Sequence, residues 1–201
     1  MKAFGFIMSA LLGLEIICLA ADVQYCDPSL EWVKQASEKT EAVPDFPKPG
    51  ILFQDVLGIF KDPHLVKEMS SYLSQYFAGR IDVIVGLESR GFLLGSILSE
   101  KMQVPFIPIR KAGKLPGPCF QSTYKKEYGY DTFELAQSAL EVGQKVLIVD
   151  DLIATGGSAQ AAIDLISQAG AQATEFFAFT EIASEGGAAN LPIPSTILFR
   201  K

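Results

Sequence analysis

Residues 146–158 read Val-Leu-Ile-Val-Asp-Asp-Leu-Ile-Ala-Thr-Gly-Gly-Ser, and a helical pattern follows at 159–169. The apolar run that opens this stretch is short, rich in Val and Ile and flanked by charge, as in strands buried on both faces of a parallel sheet. It predicts a strand over residues 146–150 that ends at two carboxylates. Open α/β sheets bind their ligands at the carboxyl ends of such strands.

The loop after this strand has the composition of an anion site. Its glycines allow backbone N–H groups to approach an anion closely, and its hydroxyls add further donors. The helix that follows presents free N–H groups and the positive end of its dipole. We therefore predict that a phosphate is bound by five consecutive residues: Ala154, Thr155, Gly156, Gly157 and Ser158.

Asp150 and Asp151 do not suit the phosphate itself, because carboxylates repel it. A ligand that satisfies both the acid pair and the loop has vicinal hydroxyls close to one phosphate, as in a ribose 5-phosphate. We expect the two carboxylates to accept hydrogen bonds from the 2- and 3-hydroxyls. The alternative is structural: an acid pair that ends a strand, followed by an ordinary glycine turn. The stretch contains neither a Walker A loop nor a Gly-x-Gly-x-x-Gly dinucleotide turn.

The rest of the chain alternates between strand and helix patterns, which predicts an α/β fold with a mostly parallel sheet flanked by helices. Helices are predicted over residues 30–40, 64–77, 92–101 and 159–169. Strands are predicted over residues 81–85, 104–109, 146–150 and 174–180, with 196–199 closing one edge. A proline-rich segment precedes a short edge strand at 51–53, whose exposed edge could bind a planar base through backbone groups.

Two glycine-containing segments with cations follow predicted strands. In Gly-Leu-Glu-Ser-Arg-Gly at 86–91, Arg90 is a candidate bidentate donor to a diphosphate. The segment at 110–118 carries three cations: Arg110, Lys111 and Lys114. It predicts a mobile loop that covers the site, neutralises a diphosphate and excludes water. The alternative for this second segment is a basic surface loop without a ligand.

Composition narrows the class of protein. A chain of 201 residues accommodates one domain over residues 22–201, and its net charge of −6 disfavours nucleic-acid binding. The three cysteines show no Cys-x-x-Cys spacing, so neither a zinc site nor a disulfide framework is indicated. His64 is the only histidine, which disfavours a Ser-His-Asp mechanism.

Residues 1–21 form a separate segment. A basic start, an apolar run and the ending Cys-Leu-Ala-Ala resemble a secretory signal peptide, but Glu15 interrupts the run. The stretch is also marginal for a membrane span. A targeting segment and an uncleaved extension both stay open. Nothing after it is typical of an extracellular protein, so we expect a cytoplasmic domain without membrane association, with secretion left open.

The loop at 150–158 resembles the phosphoribosyl pyrophosphate (PRPP) signature of type I phosphoribosyltransferases. Further motifs sharpen the resemblance to adenine phosphoribosyltransferase over about residues 43–182. They occur in the family's order at 44–55 (Pro-Asp-Phe-Pro-Lys-Pro-Gly-Ile-Leu-Phe-Gln-Asp), 86–92, 110–117 and 127–129 (Glu-Tyr-Gly). The resemblance implies a type I phosphoribosyltransferase fold, with a small N-terminal hood and a mobile loop over the site. It also implies a homodimeric enzyme of purine salvage. Its substrates would be adenine and PRPP, its products AMP and diphosphate, and its magnesium would be bound through PRPP.

The resemblance also implies roles for individual residues. Ile51 and Gln54 match adenine-site positions, the former through its backbone. Arg90, Lys111 and Lys114 match diphosphate contacts, and Arg110 matches a residue that reaches across the dimer. Glu127 matches the acid that exchanges a proton with the purine. A cis peptide bond is implied between Glu88 and Ser89.

Position 54 is usually arginine in the family but is Gln here. The amide of Gln54 can both donate and accept hydrogen bonds. Two alternatives therefore stay open: a phosphoribosyltransferase for another base such as orotate or xanthine, and a non-catalytic protein that senses PRPP or a nucleotide. The second predicts loss of cationic or acidic site residues, and all of these are present. A PRPP synthetase would need an ATP site, which the sequence lacks.

Overall fold

The computed structural model describes residues 22–125 and 129–201; residues 1–21 and Glu127 lie outside the described residues. The helices are Glu31–Glu38 (α1), Pro63–Tyr76 (α2), Gly91–Met102 (α3) and Gly157–Gln168 (α4). The strands are Val23–Tyr25 (β1), Glu41–Pro44 (β2), Leu52–Asp55 (β3), Val83–Leu87 (β4), Phe106–Lys111 (β5), Cys119–Lys125 (β6), Tyr130–Ala136 (β7), Lys145–Ile153 (β8), Gln172–Glu181 (β9) and Ser195–Arg200 (β10).

The main sheet has eight strands within the described ranges, in the order β1-β10-β9-β8-β4-β5-β7-β6. All neighbours from β1 to β5 are parallel, and only the pairs formed by β7 are antiparallel. This confirms the predicted mostly parallel sheet. Strands β2 and β3 pair separately as an antiparallel hood.

The sheet is buried on both faces, as the apolar strands predict. One core contains buried side chains of α1, α2 and α3, such as Trp32, Leu65 and Leu94. The other contains the apolar face of α4, such as Leu165 and Ile166. Packing on both faces leaves the carboxyl ends of the strands as the accessible edge.

Three predictions of elements are wrong in detail, and one hairpin was missed. Strand β8 continues through the acid pair to Ile153, and Arg110 and Lys111 belong to β5 instead of opening a loop. Strand β10 is not at the edge, because β1 pairs with its outer side. The hairpin β6–β7 was not predicted, since β6 alternates half-buried residues such as Phe120 and Tyr124 with polar ones and contains no apolar run.

The start of α2 agrees with the sequence. Asp62 caps α2 by accepting hydrogen bonds from the backbone N–H groups of His64 (3.1 Å) and Leu65 (3.2 Å), so the single histidine is an exposed residue of a helix start. None of the helices in the described ranges combines the length and apolar character that a membrane span requires.

Candidate active site

A cavity of about 440 Å³ opens at the carboxyl ends of β4, β5 and β8. It brings together most of the predicted site: Ile51, Arg90, Lys111, Asp150, Asp151, Ala154, Thr155, Gly156, Gly157 and Ser158. These residues come from four separate parts of the chain. The parallel sheet unites them because the ends of its strands share one edge.

The acid pair forms the floor of this cavity. Asp150 and Asp151 are 8% and 5% exposed, and the backbone N–H of Asp151 donates to Oδ1 of Asp150 at 2.9 Å. Burial raises the pKa of Asp150 well above its usual range, and the neighbouring Asp151 carboxylate adds to the shift. Acceptors held in this way suit a ligand that presents hydroxyl donors.

Arg90 links the acid pair to the hood. Its Nε lies 2.5 Å from Oδ2 of Asp151, and its guanidinium carbon lies 4.7 Å from the ring centroid of Phe53 in β3. Ion pairing and stacking on an aromatic ring together orient the planar guanidinium. Arg90, which is predicted to bind a diphosphate, therefore lies next to Asp151, which is predicted to bind a ribose.

The glycine loop connects β8 to α4 through a left-handed residue. Gly156 has a φ of 87°, which glycine adopts without steric cost, and α4 begins at Gly157. A Cβ atom on Gly157 would lie 2.9 Å from the carbonyl oxygen of Lys125, so the hairpin approaches the loop closely. Gly156, Gly157 and Ser158 all line the cavity, so the first turn of α4 borders it. The backbone N–H groups of a first helical turn have no partners within the helix, which suits an anion.

Glu88 organises the turn after β4. Its peptide bond to Ser89 is cis, as the resemblance predicts. Its Oε2 accepts from Nε of Arg110 (3.0 Å) and from the backbone N–H of Lys111 (2.8 Å). Burial acts to raise the pKa of Glu88, but the hydrogen bonds from Lys111 and Arg110 outweigh it and leave the pKa below its usual value.

Three predicted residues do not line the cavity in the described part of the chain: Gln54, Arg110 and Lys114. Gln54 is 4% exposed and its Oε1 finds no hydrogen-bond partner among the described residues. Arg110 forms an ion pair with Glu88, and the charge of Lys114 helps to lower the pKa of the same carboxylate. Their ligand contacts, and the role of Glu127, stay predictions.

Sequence reasoning missed the contribution of the hairpin. Tyr124, Lys125, Asp131 and Phe133 line the cavity, and Nζ of Lys111 lies 3.3 Å from Oδ2 of Asp131. Burial raises the pKa of Tyr124. The available signal was the Glu-Tyr-Gly motif at 127–129, whose flanking residues form these strands. The cavity is completed by Pro47, Lys48, Glu88 and Leu152.

Sequence comparison and structure comparison place this chain in the same family. Residues 59–185 match the phosphoribosyl transferase domain family. Adenine phosphoribosyltransferase 1 of Saccharomyces cerevisiae is 48% identical over 156 residues, which cover 75% of this chain and 83% of that protein. Adenine phosphoribosyltransferase of Mus musculus is 43% identical over 167 residues, covering 81% of this chain and 93% of its own.

Solved structures agree with these sequence matches. The chain is similar to the yeast adenine phosphoribosyltransferase crystallised with adenine and D-2,5-dideoxy-2,5-imino-altritol 1,6-bisphosphate. The TM-score is 0.78 at 44% identity, over 84% of this chain and 98% of the yeast chain. The enzyme of Rhodothermus marinus gives a TM-score of 0.80 at 37% identity, over 85% of this chain and 98% of its own.

Proposed function

Since this chain belongs to the phosphoribosyl transferase family, and within it to the adenine phosphoribosyltransferases, we propose that it transfers the 5-phosphoribosyl group of PRPP to adenine. The products are AMP and diphosphate, and the reaction is one of purine salvage. One observation carries the proposal: a buried acid pair, a glycine loop at a helix start and the cations Arg90 and Lys111 share one cavity.

The ribose 5-phosphate part of PRPP is bound by consecutive residues. The loop from Ala154 to Ser158 accepts the 5-phosphate at the start of α4, where backbone N–H groups and the helix dipole favour an anion. Asp150 and Asp151 accept the ribose hydroxyls. Their negative charge also favours the cationic sugar that forms as the bond from C1 to diphosphate breaks.

The diphosphate leaves with the electron pair of the broken bond, and Arg90 and Lys111 stabilise its charge. When bound, magnesium neutralises part of the same charge. No group of three or more His, Cys, Asp or Glu side chains in residues 22–125 and 129–201 could hold a metal ion. Magnesium often takes its ligands from substrate phosphates and water, so the cavity fits an ion bound through PRPP.

The base enters from the side of the hood. Ile51 lines the cavity there, at the start of β3, and adenine is read through this backbone. N9 of adenine forms the new bond to C1 from the face opposite the leaving diphosphate. The proton of N9 passes to a general base. Glu127 is proposed to exchange that proton.

Assembly and location are proposals that rest on the resemblance and on composition. We propose a homodimer in which Arg110 reaches the partner site, and light scattering of the purified protein measures the mass that tests this. We propose a cytoplasmic location, with secretion through residues 1–21 as the alternative; mass spectrometry of the N-terminus of the protein from cells distinguishes them.

One assay tests the proposed function. Purified protein is mixed with PRPP, magnesium and adenine, hypoxanthine, guanine, xanthine or orotate in turn, and nucleotide formation is measured. We expect AMP from adenine and little product from the others. Faster use of another base assigns a different phosphoribosyltransferase. Binding of PRPP without any nucleotide product assigns a sensing protein.

A further inference from the structure

Glu181 is a buried carboxylate at the carboxyl end of β9, and its side chain is not among the cavity-lining residues in the described part of the chain. It is 1% exposed. Its Oε2 accepts a hydrogen bond from the hydroxyl of Tyr25 in β1 and lies 3.3 Å from Nε of Arg200 in β10. Its Oε1 accepts the backbone N–H of Ala188 at 3.3 Å. One carboxylate thus joins three strands to the turn at Gly187–Asn190.

This turn packs directly against the glycine loop. The backbone N–H of Gly187 donates to the carbonyl oxygen of Ala154 at 2.9 Å. A Cβ atom on Gly187 would lie 2.1 Å from that oxygen and 2.6 Å from the backbone nitrogen of Gly156. Ala188 is fully buried. The position of the loop therefore depends on the position of the turn, with no intervening side chain.

We infer that Glu181 is a positioning residue for the 5-phosphate loop: it holds the turn at Ala188, and the turn holds the loop at Ala154. The inference deepens the proposed function and rests on it, because the loop is assigned to the 5-phosphate there. Tyr25 and Arg200 supply the donors that keep the buried carboxylate oriented. The short strand β1 thereby contributes to substrate binding although it lies at the far edge of the sheet.

Glu175 provides a matched control on the same strand. It is 3% exposed and is also paired with an arginine and a hydroxyl, Arg80 and Thr196. It lies near the amino end of β9, about 20 Å along the strand from Glu181 at the usual rise per residue. Its removal should disturb the fold to a similar degree without reaching the loop.

The experiment compares Glu181→Gln with Glu175→Gln. For each variant the KM for PRPP, the KM for adenine, the kcat and the melting temperature are measured, together with the Kd for PRPP by calorimetry. We expect Glu181→Gln to raise the KM and the Kd for PRPP about tenfold or more, since small displacements of a binding group have effects of this size. The KM for adenine should change less than about twofold, within 0.4 kcal/mol at 1.4 kcal/mol per factor of ten.

Two further variants keep the test decisive if Glu181→Gln fails to fold. Tyr25→Phe removes one donor to Glu181, and we expect a smaller rise in the KM for PRPP. Gly187→Ala places a methyl group against the loop, and we expect a rise at least as large as that of Glu181→Gln. Equal changes in PRPP affinity for the Glu181 and Glu175 variants, or unchanged affinity in both further variants, would overturn the inference. Failure of the wild-type protein to bind PRPP would instead refute the proposed function.

Discussion

Arg90 and Asp151 form an ion pair inside the cavity, with Nε of the arginine 2.5 Å from Oδ2 of the acid. The two residues are assigned to different parts of PRPP, the diphosphate and the ribose. The proposed complex offers each of them a further partner, a diphosphate oxygen for Arg90 and ribose hydroxyls for Asp151. Both residues should therefore be sensitive to the same substrate.

Replacing Arg90 by lysine tests the need for a planar guanidinium. Lysine keeps the charge but loses the fork that binds anions in a bidentate manner and the stacking on Phe53. We expect Arg90→Lys to raise the KM for PRPP by about tenfold, the equivalent of one charged hydrogen bond of roughly 1.5 kcal/mol. Steady-state kinetics measure this, with the exposed Lys67→Ala as control. Equal kinetics for the two variants would remove Arg90 from the diphosphate site.

Replacing Asp150 by asparagine tests the ribose site. A charged hydrogen bond contributes about 1.5 to 3 kcal/mol, so we expect kcat/KM to fall by about one to two orders of magnitude. Asparagine retains an oxygen to accept the backbone N–H of Asp151, which preserves the local fold. Asp151→Asn should have an effect of similar size. Unchanged kinetics in both variants would show that the acid pair does not bind substrate.

Asp150→Asn should lower activity, but it should raise stability relative to wild type as pH increases. The folded-state pKa is raised, so the folded protein binds more protons than the unfolded chain between pH about 3.8 and the raised pKa. The free energy of unfolding therefore falls as pH rises through the raised pKa. Asp150→Asn lacks this loss, and we expect it to gain stability relative to wild type as pH increases. Denaturant unfolding at several pH values measures the difference, and a constant difference would contradict the raised pKa.

Glu127 is assigned to proton exchange with the purine through the Glu-Tyr-Gly motif. General acid–base catalysis typically contributes about 10²- to 10⁴-fold, so Glu127→Gln should lower kcat within this range while the Kd for PRPP stays nearly constant. The exposed Glu141→Gln is a control for the loss of one negative charge. A reduction of kcat below about twofold would assign Glu127 to a structural role.

Gln54 tests the base specificity. The resemblance assigns the recognition of neutral adenine to backbone groups near Ile51, so Gln54→Arg should change kcat/KM for adenine by less than about 1.5 kcal/mol, the size of one hydrogen bond. The variant should still reject hypoxanthine and guanine. Each of them carries a carbonyl where adenine carries its exocyclic amine, so the acceptor for that amine is left unpaired. Competition assays with mixed bases measure the ratio. Preference for a different base in the variant would identify Gln54 as the residue that selects the base.

Much of the site could be predicted because its residues are local in sequence. The strand, the acid pair, the glycine loop and the start of α4 are consecutive, so hydrophobic pattern and turn chemistry suffice to place Asp150, Asp151 and the five loop residues together. The ends of the parallel strands also had to share one edge, which brought Arg90 and Lys111 near them. The predicted α/β fold follows from the same alternation of elements.

Only the tertiary structure decided the contacts between distant segments. Strand β6 has no apolar run, and only the Glu-Tyr-Gly motif between β6 and β7 pointed to this hairpin. Tyr124 and Asp131 reach the cavity because β7 pairs with β5. Gln54 was assigned by motif, but packing of the hood buries it away from the cavity lining. The contact of Glu181 with Ala188 likewise depends on where β9 ends relative to the turn. Local pattern determines which elements form, whereas packing between elements determines which side chains meet.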